Sequence, residues 1–165
     1  MTQTPSEVLR FRWLDAMLPD VPFDGWTEAT AARAAKQAGL SEGEQALAAP
    51  NGVPDLIDAF FDRAGQAARE ALADQDISAL KTPARVKAGV LAWLAALEPN
   101  REAVRRAAVR GLLPWGAASA VQRTWRIADM VWDEAGDTSE DYNRYSKRGL
   151  LAAVIPPIIM YWLDQ

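Results

Sequence analysis

The sequence contains neither cysteine nor histidine among its 165 residues. Their absence excludes thiol nucleophiles, histidine bases, Ser-His-Asp arrangements, metal sites built from these residues and the Glu-x-x-His helices of di-iron enzymes. Disulfides are excluded as well, and no signal or transit segment opens the chain, which favours a reducing, cytoplasmic setting of bacterial type. We therefore predict a protein that is not an enzyme and that has no cofactor and no metal.

Strand signals are nearly missing too. No stretch alternates in a period of two with β-branched residues, whereas alanine is abundant throughout the chain. Capping residues and a capping-box spacing instead predict helix starts, with caps at Ser6, Thr27, Ser41 and Thr82. The fold is therefore predicted to be all-α.

Charge is absent from residues 149–163, which hold Pro156-Pro157 at their centre. This run is shorter than the roughly 20 residues that span a bilayer. A helix without a polar face must be covered on all sides, by a core, a lipid or a subunit interface, and the two prolines predict a kink or an interruption. A polar joint, residues 132–148, precedes the run. Within this joint, Gly136 ends one helix and residues 137–139 cap the next.

Basic residues are scarce in the first half of the chain. Residues 1–79 carry 13 acidic and six basic side chains, whereas residues 80–165 carry nine and twelve. A basic half that includes an apolar helix suits an anionic membrane surface, which would make the protein peripheral on an inner membrane. The alternative is that these charges are solvated helix faces. The net charge of −4 argues against a nucleic-acid partner.

The N-terminal helices have the order and lengths of a three-helix DNA-binding unit followed by a connecting helix. Residues 27–61 resemble the N-terminal pattern of TetR-type repressors. At the recognition-helix position stands Ser41–Ala48, whose two charges, Glu42 and Glu44, would be repelled by phosphates. We therefore predict a helix-turn-helix-like unit at 1–52 that does not bind DNA. It would pack, as a single domain, with lipid-binding and dimerisation helices at 53–165.

The seven tryptophans and the acidic joint are the remaining candidates for a site. The joint lacks the spacing of a calcium loop, so we predict no metal there. The tryptophans either fill a core or line a wide apolar pocket for a lipid or isoprenoid. For the pocket, the predicted lipid-binding residues are Trp93, Leu97, Leu113, Trp115, Val121, Trp125, Trp132, Leu151, Val154 and Ile158.

Two segments resemble the Coq-nine family, namely Pro22-Phe23-Asp24-Gly25-Trp26-Thr27-Glu28 and the joint from Trp132 to Arg148. Members of that family are accessory factors of ubiquinone biosynthesis. The resemblance implies a TetR-like helical bundle, usually a homodimer, that does no chemistry itself. It also implies a pocket in the C-terminal helices for isoprenoid quinone intermediates or phospholipid. The bound lipid would be presented to the di-iron hydroxylase of the pathway.

On matching positions, the resemblance implies a hydroxylase-binding face formed by Asp129, Val131, Arg144, Tyr145 and Arg148. The family commonly has an aromatic residue at the position of Arg144, and it usually continues into an amphipathic, membrane-contacting helix beyond a position like Leu163. Two alternatives stay open. One is a TetR-type regulator that senses an apolar effector, and the other is a dimeric helical scaffold whose apolar helix forms the subunit interface.

Overall fold

A computed structural model describes residues 2–112 and 116–165 of the chain. These residues form helices and turns with no strand, so the all-α prediction is confirmed, and the helix order is consistent with a TetR-like bundle. The helices are α1 (Pro5–Met17), α2 (Val21–Asp24), α3 (Glu28–Gln37), α4 (Glu42–Ala48), α5 (Val53–Ala73), α6 (Thr82–Leu97), a 3-10 turn (Glu98–Asn100), α7 (Arg101–Gly111), α8 (Ala117–Glu134) and α9 (Tyr142–Leu163).

Side-chain caps set the first helix boundaries. Thr27 caps α3, and Ser41 forms the predicted capping box with Glu44 at the start of α4. The predicted cap of α1, Ser6, is wrong. Thr4 is the cap and exchanges hydrogen bonds with Glu7, while Ser6 lies inside the helix. A second capping box, Thr-x-x-Glu, is therefore present at residues 4–7.

Two later helix starts also differ from the prediction. Thr82 is the first residue of α6 rather than its cap, which is Lys81. The helix after the joint is capped at Asp141 instead of residues 137–139. Gly136 does end the preceding helix, with a φ of 82° that a side chain would strain. The next helix begins later than predicted because the side chains of Asp137 and Ser139 make other hydrogen bonds, which are described below.

The structure divides into two compact units, of which the first comprises residues 1–62 and 102–119. Within it, α1 packs on α3 and α4, and the indole of Trp13 donates to the carbonyl of Ala31 across 2.8 Å. The buried Trp26 donates to the carbonyl of Ala103 in α7 and lies 5.5 Å from the ring of Phe60. Both tryptophans therefore belong to the core of the first unit.

The second unit comprises residues 63–101 and 120–165. Its core includes Trp93 and Leu97 of α6 together with Ala128 and Val131 of α8. α6 and α8 approach closely at Gly89, where an added Cβ would stand 3.1 Å from the nearest methyl of Val131. These units are defined by compactness and do not test the functions predicted for residues 1–52 and 53–165, which stay a prediction.

The helix α9 runs through Pro156 and Pro157. The predicted interruption is therefore absent, and the predicted kink stays a prediction. Both prolines are exposed, so water can reach the carbonyls that lose their helical donors. The described part of this chain covers the helix on one side only. That a lipid or a subunit interface covers its other side stays a prediction. Its buried row is Arg148, Ile155, Ile159 and Leu163, and its exposed apolar row is Leu150, Val154, Met160 and Tyr161. No helix in the described part of the chain is long and apolar enough to cross a membrane.

Candidate functional site

A buried arginine organises the joint between α8 and α9. The Arg148 guanidinium is 1% exposed and contacts the carboxylates of three aspartates spaced four residues apart. Its Nε donates to Asp129, its Nη2 donates to Asp133 across 3.0 Å, and its Nη1 donates to Asp137 across 2.7 Å. We call these four residues the arginine cluster. A planar guanidinium is suited to this task because its donors point in fixed directions.

Two more cations complete the charge balance of the arginine cluster. Arg144 Nη2 donates to Asp129 across 3.2 Å, and Lys147 Nζ donates to Asp137 across 2.8 Å. Lys147 also lies over the ring of Trp132, and the indole of Trp132 donates to the Lys147 carbonyl. Three acidic groups are thus balanced by three basic ones, which is how buried charge is tolerated in a protein.

Titration follows from these contacts. The pKa of Asp137 is held far below its ordinary value, first by the hydrogen bond from Lys147 and then by those from Arg148 and Ser139. Burial alone lowers the pKa of Arg148, but hydrogen bonds to Asp137, Asp129 and Asp133 outweigh it, so its pKa is raised. Asp129, Asp133 and Asp137 are therefore paired with cations of the chain itself. No group of three potential ligands among the described residues is placed to hold a metal.

An apolar groove lies between α6 and α9, with a volume of about 520 Å³. Its wall on α6 follows one helix face, and its wall on α9 extends from Leu151 to the C-terminal end of that helix. The lining residues are Pro83, Val86, Lys87, Val90, Leu91, Leu94, Leu151, Ile158, Tyr161, Trp162 and Gln165. Lys87 is the one charged side chain among them. A concave surface of this size and composition is typical of sites for apolar ligands.

One end of the groove is fixed by Trp162. Its indole donates to Glu98 Oε2 across 3.0 Å, while the Arg101 guanidinium lies 4.5 Å from the ring centroid and donates to the Trp162 carbonyl. Arg101 also pairs with Glu98, and its hydrogen bond lowers the pKa of that carboxyl. The C-terminal end of α9 is thereby attached to the turn that follows α6.

The structure brings two of the predicted lipid-binding residues to the groove, Leu151 and Ile158. Trp93 and Leu97 are buried in the core, and Trp132 is half-buried over Lys147. Val121, Trp125 and Val154 are exposed to solvent, because the buried residues of α8 include Ile127, Met130 and Val131 instead of Val121 and Trp125. Leu113 and Trp115 lie outside the described residues.

The predicted partner-binding residues separate into an interior and a surface group. Val131 and Arg148 are fully buried, so they can act on a partner only through their neighbours. Asp129, Arg144 and Tyr145 reach the surface, where Tyr145 stacks on Trp125 with ring centroids 6.4 Å apart. Of the groove, sequence reasoning missed most of the α6 wall and Tyr161. The spacing of Val86, Val90 and Leu94 indicates a covered helix face and does not indicate what covers it.

Comparisons with known proteins relate this chain to one protein family. A family model described as COQ9 matches residues 117–165, which include α8, the joint and α9. The human ubiquinone biosynthesis protein COQ9, mitochondrial, is 30% identical over 156 residues, which are 90% of this chain and 49% of the human protein. The proteins of the same name from rat and cattle are each 28% identical over 90% of this chain. The chain belongs to the COQ9 family. It spans about half the length of the curated COQ9 proteins it matches.

Proposed function

We propose that this COQ9-family chain is a non-catalytic accessory protein of ubiquinone biosynthesis that binds a lipid in the groove between α6 and α9. The pathway is the one named for its mammalian relatives. The ligand would be an isoprenoid quinone intermediate or a phospholipid. The observation that carries the proposal is the apolar groove itself. Each methylene that leaves water contributes about 0.8 kcal/mol, so a tail lying along the groove needs few polar contacts.

A quenching titration would test the lipid site. Trp162 lines the groove, so a short-tailed ubiquinone bound there should quench its fluorescence. Ile158→Trp would fill the groove from α9 and should abolish saturable binding. Val154→Trp is the matched control, because it adds the same ring four residues earlier on the exposed row. Unchanged binding in the Ile158 variant, or equal loss in both, would argue against this site.

We further propose that the di-iron hydroxylase binds the surface formed by Asp129, Arg144, Tyr145 and Trp125. This surface combines exposed aromatic rings with a charged pair, a composition that favours protein contacts. Tyr145→Ala should weaken capture of the hydroxylase by at least tenfold, whereas Tyr161→Ala, an equally exposed tyrosine of α9, should not. Both variants should keep the helical circular dichroism of the parent chain.

The exposed apolar row of α9 supports a second candidate function, a dimeric scaffold, and is compatible with the proposed homodimer. Light scattering across a dilution series would test it. A dimer that persists on dilution and is disrupted by Leu150→Glu would favour the scaffold if the groove binds no lipid. No comparable observation favours a DNA-binding regulator, since α4 is seven residues long and opens with two glutamates. A mobility shift with promoter DNA should be blank.

A further inference from the structure

Among the described cations of the second unit, Lys87 is the one that lines the groove. Arg85 donates to the carbonyls of Ser78 and Leu80, Arg101 pairs with Glu98, and Lys147 pairs with Asp137. Lys87 makes no hydrogen bond or ion pair with another described residue, and its side chain is exposed on the groove-facing side of α6. Its ammonium group is therefore available to a ligand.

The position of Lys87 along the groove follows from the contact at the other end. Trp162 is hydrogen-bonded to Glu98, which fixes the C-terminal ends of α6 and α9 beside each other. Lys87 precedes Glu98 by eleven residues and Leu151 precedes Trp162 by eleven, a rise of about 16 Å in each helix. Lys87 thus lies toward the Leu151 end, with apolar lining between it and Trp162.

The charge of the groove contrasts with that of the chain. The chain carries a net charge of −4, so an anion gains no general attraction to its surface. The groove nevertheless has a cation and no acidic lining residue. A carboxylate or phosphate at Lys87 would form a charge-assisted hydrogen bond, which is about twice as strong as a neutral one. A neutral head group at the same position would gain less.

We propose that the groove selects amphiphiles with an anionic group, and that Lys87 is the residue that determines this specificity. The tail would lie on Val90, Leu94 and Ile158, and the carboxylate or phosphate would contact the Lys87 ammonium. This inference rests on the proposed lipid-binding function and narrows its ligand class. It predicts that two ligands with the same tail and different head charge bind with different affinities.

Oleate and oleyl alcohol provide that comparison, because they share a tail and differ in charge. Each ligand, used below its own aggregation concentration, would displace a neutral apolar fluorophore from the protein. In the unchanged chain, oleate should bind about fivefold more tightly than the alcohol, and salt should reduce the difference. Lys87→Gln should remove the difference while leaving the affinity for the alcohol unchanged. Lys81→Gln, a change of the same charge at an exposed lysine outside the groove, should preserve it.

The other outcomes separate the two proposals. Equal binding of both ligands to the unchanged chain would overturn the selectivity and leave the lipid site intact. Equal weakening of both by Lys87→Gln would assign the lysine stem a packing role and overturn the selectivity as well. Failure of both ligands to displace the fluorophore would overturn the lipid site and, with it, the role of Lys87.

Discussion

Arg148 Nη1 donates a 2.7 Å hydrogen bond to Asp137 Oδ2, and the two side chains are 1% and 5% exposed. Asp137 lies between α8 and α9, whereas Arg148 lies in the second turn of α9. The pair therefore attaches the segment between the two helices to α9. Because Arg148 also binds Asp129 and Asp133 of α8, one side chain fixes three segments of the chain.

Arg148→Met should destabilise the second unit by about 3–5 kcal/mol, because it leaves three aspartates without their shared partner. Urea unfolding followed by circular dichroism would measure the loss. Arg144→Met is the matched control: Arg144 is partly exposed and pairs with Asp129 alone, so its loss should cost less than about 1 kcal/mol. Similar losses in the two variants would contradict the central role of Arg148.

Asp137 should make the free energy of unfolding depend on pH in the acid range. Its pKa in the folded chain is lowered from 3.8, so the ionised form is favoured by folding. This contribution is complete above the ordinary aspartate range and decreases as the pH falls below it toward the folded-state pKa. Asp137→Asn should reduce the free energy of unfolding at pH 7 and flatten its decline between about pH 5 and 2. A variant that keeps the full slope would show that other carboxyls carry the effect.

Thr4→Ala should destabilise the first unit by about 1 kcal/mol, since it removes the side chain that accepts from the Glu7 amide. Ser6→Ala should cost less, because Ser6 lies within α1 and its one described side-chain contact is with the Thr4 hydroxyl. Thermal unfolding of both variants would compare the caps directly. A larger loss from Ser6→Ala would restore the start predicted from the sequence.

Replacing both exposed prolines of α9 by alanine should stabilise the helix. Each proline lacks a donor and clashes with the carbonyl four residues earlier, which costs about 3 kcal/mol in a helix interior. Loss of proline also frees the unfolded chain, which offsets about 1 kcal/mol per site. Pro156→Ala/Pro157→Ala should therefore raise the melting temperature. A lower melting temperature would mean that the prolines fit this backbone better than alanine does.

Local signals in the sequence predicted much of the fold. The caps at Thr27 and Ser41 are correct because they depend on neighbouring residues. The exposure of Val121 and Trp125 was not predicted, because both are as apolar as core residues and only tertiary packing decides which face of α8 is covered. Of the kink or interruption predicted at the prolines of α9, the interruption is absent, because the cost of a proline in a helix depends on its exposure to water.

The candidate site was predictable only in part. The spacing of four between Asp129 and Asp133 places them on one helix face, as the sequence alone indicates. That Arg148 reaches this face depends on how the chain turns at Gly136. Leu151 and Ile158 were predicted for a lipid site and do line the groove. Lys87 was read as part of a general basic half, since nothing local distinguishes it from other lysines.

The first compact unit has a consequence for the order in which the chain can fold during synthesis. Trp26 is hydrogen-bonded to the carbonyl of Ala103, which leaves the ribosome 77 residues later. Arg110 then contacts the carbonyl of Trp26 itself. The nascent N-terminal helices must therefore wait, with the Trp26 indole lacking this acceptor, until α5, α6 and α7 have been made. A gene fragment that ends after residue 62 would encode the N-terminal helices without α7. The surface that α7 covers would then be accessible to chaperones and proteases.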